Sequence, residues 1–503
     1  MTYPSTAAFA SAAFASLAVA VAELDLDGPD GPVLSLAPAP GGSPLGEGYV
    51  YALVRLRGRP AATVLGRVGT GEDPAEVLTA AFRARRDRTD RTDRTDRRDR
   101  TDRRDRTDRR DRTDRRDRTD RRDRTGRKDR TGRKDRTGRK DPGRYEPTPA
   151  DEPYAPPRTT VVVATRERAG QLARALDSLL AQDHPDFRVL VVDNAPVTSA
   201  TRDLVTSRYA GRVDYIHEPR PGLALAHNRG LDDTDGAVVA FTDDDVIADP
   251  HWLTALTTPF AADPGLGCVT GLILPARLTT PAQILLESHG GFAKGFEPRV
   301  YDPARPPADE PLFPFTAGSF GSGANMAFRA DALRAVGGFD PATGTGTPAR
   351  GGDDLYAFVR ILSAGRRLRY TPSALVWHHH RETWQDLENQ AYGYGAGLTA
   401  YLTAILVRRP ALLPALLARL PRGLAHARAI TAHRSHEEAS VSEVPGVPGV
   451  PGVLDVPGVP GAHGAQHHPW PRSLSRLERR GMLYGPLGYA RARRRTARDG
   501  GQA

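Results

Sequence analysis

Residues 237–245 read AVVAFTDDD, five apolar residues and a threonine followed directly by Asp243, Asp244 and Asp245. An apolar run of that length predicts a buried strand, and carboxylates at the carboxyl end of a parallel strand fall where open α/β sheets bind their ligands. Three like charges at a buried strand end are costly without a counter-ion, so the run predicts a cation with an anionic substrate beside it. The bland alternative is a solvated turn or a helix cap, the role expected of Asp249 ahead of Pro250. A second stretch repeats the pattern, because Arg188–Val192 is apolar after its first residue and runs into Asp193 and Asn194. Two strands therefore carry acid to one edge.

Outward from these strands, Thr159–Ala164 (TTVVVA) reads as another buried strand and Val213–Ile216 as a fourth. Between them, Leu172, Ala175, Leu176, Leu179 and Leu180 fall on one helical face, and a helix over Ala224–Leu231 precedes the aspartate strand. Strand and helix alternate, which predicts an α/β fold with a mainly parallel, Rossmann-like sheet flanked by helices on both faces.

The 503-residue chain has a formal net charge of +10, but that charge is local. Residues 83–144 are RTD, RTDRRD and RTGRKD units holding 30 of the 71 Lys and Arg and 16 of the 61 Asp and Glu. Elsewhere 41 basic residues face 45 acidic ones, so the high isoelectric point is no sign that the folded part binds nucleic acid. The tract cannot bury apolar surface and has no aromatic residue to stack bases, which predicts a disordered linker. VPGVPGVPGVLDVPGVPG at residues 444–461 reads as a second flexible linker. A single cysteine, Cys268, excludes an internal disulfide and reads as a core residue in an apolar stretch.

The expected organisation is a small β-rich accessory domain over 1–82, with two strands between Tyr49 and Val68 around a turn at Gly58–Pro60 and a helix opening near Asp73. The charged linker follows over 83–157, a catalytic domain over 158–390 and a helical region over 391–435. The Val-Pro-Gly linker over 436–470 and a basic tail over 471–503 complete the chain. The amino-terminal alanine-rich stretch lacks the basic start and cleavage context of a secretory signal. In Tyr392–Leu420 an apolar pattern bordered by Arg408, Arg409 and Arg419 suits either a core helix or one lying at a membrane interface.

The segments VVVATRERAGQLARALDSLLAQ, VLVVDNA, EPRPGLALAHNRGL, VVAFTDDDVIADPHWL, GSFGSGANMAFRADALRAVGGFD, GGDDLYAFVRILSAG and ALVWHHHR occur in that order over roughly residues 158–400. Together they resemble the family-2 glycosyltransferases of GT-A fold, in particular an actinobacterial branch. The resemblance implies inverting transfer of a sugar from a nucleotide-diphosphate donor to an acceptor hydroxyl, assisted by Mn²⁺ or Mg²⁺ as Lewis acid at the leaving diphosphate. It implies that Thr165, Glu167 and Asp193 line the nucleotide, that Asp243 meets the ribose and Asp245 the metal, with Asp244 open to either task. Asp354 of the Asp353–Asp354 pair would be the catalytic base, and two adjacent carboxylates raise one pKa. His378 would complete the coordination of Asp245, with His380 as substitute and Arg381 toward the diphosphate. One departure is His227, where the family commonly has Arg, a change that weakens any phosphate or base contact there.

The expected setting is cytoplasmic, peripheral on the inner face of the plasma membrane, with an acceptor that is lipid-linked or part of an envelope glycan or secondary metabolite. A sugar-nucleotidyltransferase needs a basic phosphate-binding loop after the first strand, which Arg166 and Arg168 alone do not supply. A non-catalytic scaffold with a degenerate transferase domain is the rival of a different class.

Overall fold

A computed structural model describes residues 18–87, 154–288, 291–419, 421 and 471–499. The charged repeats beyond residue 87 and the Val-Pro-Gly stretch lie outside the described residues. The first four strands are β1 (Val19–Leu26), β2 (Val33–Pro38), β3 (Gly48–Leu56) and β4 (Arg59–Val68), ordered β2-β1-β3-β4. The expected hairpin is β3–β4, turning at Arg57 and Gly58, both at positive φ. The sheet gains two strands that the sequence reading does not predict. A helix over residues 74–87, α1, covers one face. Strand alternation sorts the side chains: Val50, Ala52 and Val54 join Leu78 and Phe82 of α1, whereas Tyr49, Tyr51 and Leu53 face the other way.

The larger sheet starts as the alternation predicts, with β5 (Thr159–Thr165), α2 (Ala169–Leu179), β6 (Phe187–Asn194), α3 (Ala200–Arg208), β7 (Val213–Glu218), α4 (Leu223–Asp232) and β8 (Val238–Asp243). These strands are parallel in the order β7-β6-β5-β8. The chain leaves β5 toward one side and returns on the other, which opens a crevice at the strands' carboxyl ends. Val162, Leu190, Val192 and Phe241 point to one buried layer, and Val161, Val163, Val189 and Ala240 to the opposite layer beneath Leu172, Leu176 and Leu179 of α2.

Beyond β8 come β9 (Val246–Ala248), α5 (Trp252–Ala262), β10 (Leu266–Pro275), α6 (Pro281–Ser288), β11 (Arg299–Tyr301), β12 (Asn325–Arg329), α7 (Ala330–Ala335), α8 (Asp353–Ser363) and β13 (Arg367–His378). The nine-stranded sheet runs β11-β13-β10-β12-β8-β5-β6-β7, with β9 on β13. β12 is antiparallel to both β8 and β10, so this half is mixed rather than parallel. Cys268 is buried within β10, as expected.

The two sheets share a core. Val19, Val21 and Leu53 cluster with Leu272 and Leu274 of β10 and with Leu375 and Trp377 of β13. At the rim, the Arg55 guanidinium lies 2.6 Å from both Glu23 and Asp249.

Two long helices finish the fold, α9 (Trp384–Arg408) and α10 (Arg472–Asp499). The segment expected to be a basic tail thus contains a 28-residue helix. Its Gly481 and Gly485 meet the backbone of α9, where any Cβ would collide with Tyr392 O or Ala396 O. Among the described residues no single helix is long and apolar enough to cross a membrane, although α9 with the helix ending at Arg419 passes as a pair bent by 105°.

Candidate active site

Register places the acids. Thr165 pairs with Asp193 and Ala164 with Asp243, so the carboxyl ends of β6, β5 and β8 form one edge. Asp243 faces the cleft there, while Asp244 and Asp245 turn inward and are buried. Asp244 is committed on both oxygens, accepting from Thr165 Oγ1 at 2.6 Å and from Arg168 at 3.1 Å. Asp245 has Arg168 at 3.5 Å and Arg381 at 3.4 Å from Oδ2, whereas its Oδ1 makes no hydrogen bond.

His378, the last residue of β13, completes the group with Nε2 3.3 Å from Asp245 Oδ1. Ligand atoms of Asp243, Asp245 and His378 all lie within 4.8 Å of one another. Two carboxylates and an imidazole suit a divalent cation of the Mn²⁺ or Mg²⁺ kind, and a buried carboxylate oxygen lacking a donor is the atom that such an ion satisfies. Asp243, which the resemblance gives to the ribose, therefore also stands among the potential ligands.

The charges agree with the geometry. Burial, reinforced by repulsion from Asp245, pushes the Asp243 carboxyl up to about 7. Burial acts in the same sense on Asp245, but the neighbouring His378, Arg381 and Arg168 hold it below the ordinary carboxylate range. For His378, burial opposes the charged imidazole and the attraction of Asp245 outweighs it, so its pKa is raised.

Of the three histidines, His379 points away, as alternation along an extended chain requires. Its imidazole faces Gly41 of the N-terminal unit, and burial pushes it down to about 4. His380 is fully engaged, with Nδ1 3.1 Å from His378 Nδ1 and Nε2 3.2 Å from Glu287.

In the same cleft, α8 opens on Gly352 in the left-handed region at φ 85°, followed by Asp353 and Asp354. Asp354 accepts from Gly323 N at 2.9 Å and from Leu355 N at 2.8 Å. Burial, then the adjacent Asp353, raises its pKa to about 6. Asp353 is buried with Oδ2 3.5 Å from His227 Nδ1. His227 is itself buried, packed against the rings of Phe241 and Phe339.

Asp193 is fully buried on β6, where Tyr215 donates to Oδ2 at 2.9 Å and Oδ1 has no partner. Glu167 is exposed and accepts from the backbone of Val197 and Thr198, ordering that loop. Arg168, Glu287 and Lys294 are additions to the site that carry no local sequence signal; Lys294 lines the cleft near Asp354.

The cleft encloses about 1070 Å³. Asp243, His378 and Arg381 line it together with Asp353, Asp354 and Gly323. Part of its wall comes from α9 and α10, including Tyr394, Leu398, Glu478 and Tyr484.

The profile of the family described as "Glycosyltransferase like family 2" matches residues 156–392. Those residues are a family-2 glycosyltransferase domain. The transferase domain is 30% identical over 237 residues to the pre-mycofactocin glycosyltransferase of Mycobacterium tuberculosis, a match covering 47% of this chain and 46% of the relative. The chain thus spans about half the length of that relative. It is 24% identical to the glucosyl-dolichyl phosphate glucuronosyltransferase of Haloferax volcanii over 44% of this chain and 69% of the relative. A mannosyltransferase from Pyrobaculum calidifontis, solved with GDP-Man and Mn²⁺, aligns with a TM-score of 0.40 at 19% identity, over 68% of this chain and 91% of its own.

Proposed function

We propose that the protein is an inverting glycosyltransferase that moves a sugar from a nucleotide-diphosphate donor to an acceptor hydroxyl with the help of a divalent cation. The observation that carries this reading is the convergence of Asp243, Asp245 and His378 in the cleft that also presents Asp354. Asp243, Asp245 and His378 would hold the ion, which when bound offsets the charge that develops on the leaving diphosphate. Asp193 offers an unpaired oxygen for an N–H of the nucleobase. Thr165 acts by fixing Asp244, and Arg381 brings positive charge to the diphosphate side. Asp354 takes the proton of the attacking hydroxyl, held in place by the N–H groups of Gly323 and Leu355. A single base facing the donor site suits one in-line displacement, which inverts the anomeric carbon.

The wall made by α9 and α10 supports an amphipathic, lipid-linked acceptor met at the inner face of the plasma membrane. Leu398, Leu406, Val407, Leu483 and Leu487 are exposed on these helices, and α10 is rich in arginine. The Haloferax relative is named for glucosyl-dolichyl phosphate.

Incubation of the full chain with UDP-, GDP- and dTDP-sugars and Mn²⁺, scored for nucleotide-diphosphate release, tests the reading. Release from at least one donor, abolished by chelation, is expected. Neither turnover nor binding across the donors would favour the scaffold instead.

A further inference from the structure

A chain of hydrogen bonds joins the N-terminal sheet to the cation site. Tyr51 of β3 donates its hydroxyl to Glu287 Oε1 at 3.0 Å. Glu287 Oε2 lies 3.2 Å from His380 Nε2, His380 Nδ1 lies 3.1 Å from His378 Nδ1, and His378 Nε2 faces Asp245 Oδ1 at 3.3 Å. Glu287, His380 and His378 are buried, and Phe292 covers both imidazoles at centroid distances of 5.3 and 5.5 Å. Gln283 fixes the backbone by donating to His380 O at 3.2 Å.

Donor and acceptor bookkeeping gives this chain a direction. A carboxylate only accepts, so Glu287 takes the Tyr51 proton at one oxygen and that of His380 Nε2 at the other. A neutral His380 protonated on Nε2 has a lone pair on Nδ1, and the hydrogen bond across to His378 then needs its proton on His378 Nδ1. Nε2 of His378 is thereby left as the donor atom for a metal, aimed at Asp245. Fixing a ligand's tautomer by the bond that its other nitrogen makes is a general device of metal sites.

We propose that Tyr51, Glu287 and His380 are positioning residues that set the tautomer of His378 for divalent-cation binding, which makes the N-terminal sheet part of the active site's supporting structure. This rests on the reading that Asp243, Asp245 and His378 hold a cation. The geometry gives the N-terminal unit a task beyond filling a core, because Tyr51 of that unit starts the chain of bonds.

The test uses the full chain labelled with ¹⁵N-histidine, and Mn²⁺ alone as the probe. Long-range ¹H–¹⁵N correlation of the ion-free protein reads which imidazole nitrogens carry protons, with His378 assigned by the signals lost in His378→Gln. A proton on His378 Nδ1 is expected in the parent, with that preference weakened in Tyr51→Phe and in Glu287→Gln. Mn²⁺ affinity, followed by electron paramagnetic resonance, should fall about tenfold in Glu287→Gln and less, in the same direction, in Tyr51→Phe. Arg55→Gln loosens the same inter-sheet contact without touching the chain and should match the parent in both readouts. The proposal is overturned when the parent's His378 Nδ1 is unprotonated, when neither variant moves the His378 signals, or when Arg55→Gln reproduces their effect. A parent that binds no Mn²⁺ removes the cation reading alone, and the proton positions still decide the chain of bonds.

Discussion

At the scale of single residues, the role of base proposed for Asp354 would serve chemistry at a cost in stability. Its pKa of about 6 means that kcat/KM for transfer should rise with pH around that value, because only the carboxylate accepts the hydroxyl proton. Asp354→Asn should keep donor binding, seen as an unchanged thermal shift with nucleoside diphosphate and Mn²⁺, while transfer falls roughly 10²–10⁴-fold. Equal transfer rates in variant and parent would reject Asp354 as the base. Stability follows with the opposite sign. The raised pKa means that the folded state holds this proton more tightly than the unfolded chain between the ordinary value of 3.8 and about 6. Folding stability is therefore lost as pH rises through that window and stays lost above it. Asn carries no charge but keeps only one acceptor for the two backbone N–H groups, so a net gain of about 1 kcal/mol is expected at pH 8. Denaturation at pH 4, where the parent carboxyl is largely protonated, should show no such gain.

At the scale of elements, α8 is aimed by glycines. Gly352 sits at φ 85°, and a Cβ there would come 2.5 Å from Gly397 O and 3.0 Å from Tyr401 of α9. Gly365, past the other end of α8, has nearly the same φ of 80° with nothing within 4 Å. The left-handed conformation alone costs an alanine about 1–2 kcal/mol, which is the loss expected for Gly365→Ala in urea denaturation. Gly352→Ala should lose clearly more and also reduce transfer, since α9 or the start of α8 must move and Asp354 with it. Equal losses for the two would mean that α9 yields freely. The same contrast explains what could be read from sequence. β5, β6 and β8 are built on apolar runs, and the acids at the ends of β6 and β8 can be found from the chain alone. β12 follows a glycine-rich stretch to which the sequence assigns no element, and its place between β8 and β10 makes it a buried strand. α10 reads as a basic tail because arginines dominate it, and its glycines gain meaning only when α9 lies against them. Arg168 and Glu287 escape for a related reason, since each reaches its partner across the fold rather than along a motif.

At the scale of the whole molecule, the N-terminal sheet and the transferase domain are joined by burial. Leu53 is inaccessible to solvent and packs with residues of β10 and β13, so the apolar layer between the sheets belongs to both. The strands of the N-terminal unit are legible only in part, and their docking is not, because alternation shows that a strand has a second face without showing what covers it. A shared core should unfold as one unit. The four tryptophans, Trp252, Trp377, Trp384 and Trp470, all lie outside the N-terminal unit. Tryptophan fluorescence therefore follows the transferase domain and C-terminal region, whereas far-ultraviolet circular dichroism follows every helix and sheet. Leu53→Ala leaves a cavity in the common layer and should cost about 2–5 kcal/mol. If the two sheets are one cooperative body, this substitution shifts the fluorescence midpoint as far as the dichroism midpoint, although no tryptophan belongs to the sheet that carries it. A dichroism transition that moves while the fluorescence transition stays in place would show that the sheets unfold separately, and the N-terminal unit would then be an independent domain resting on the transferase.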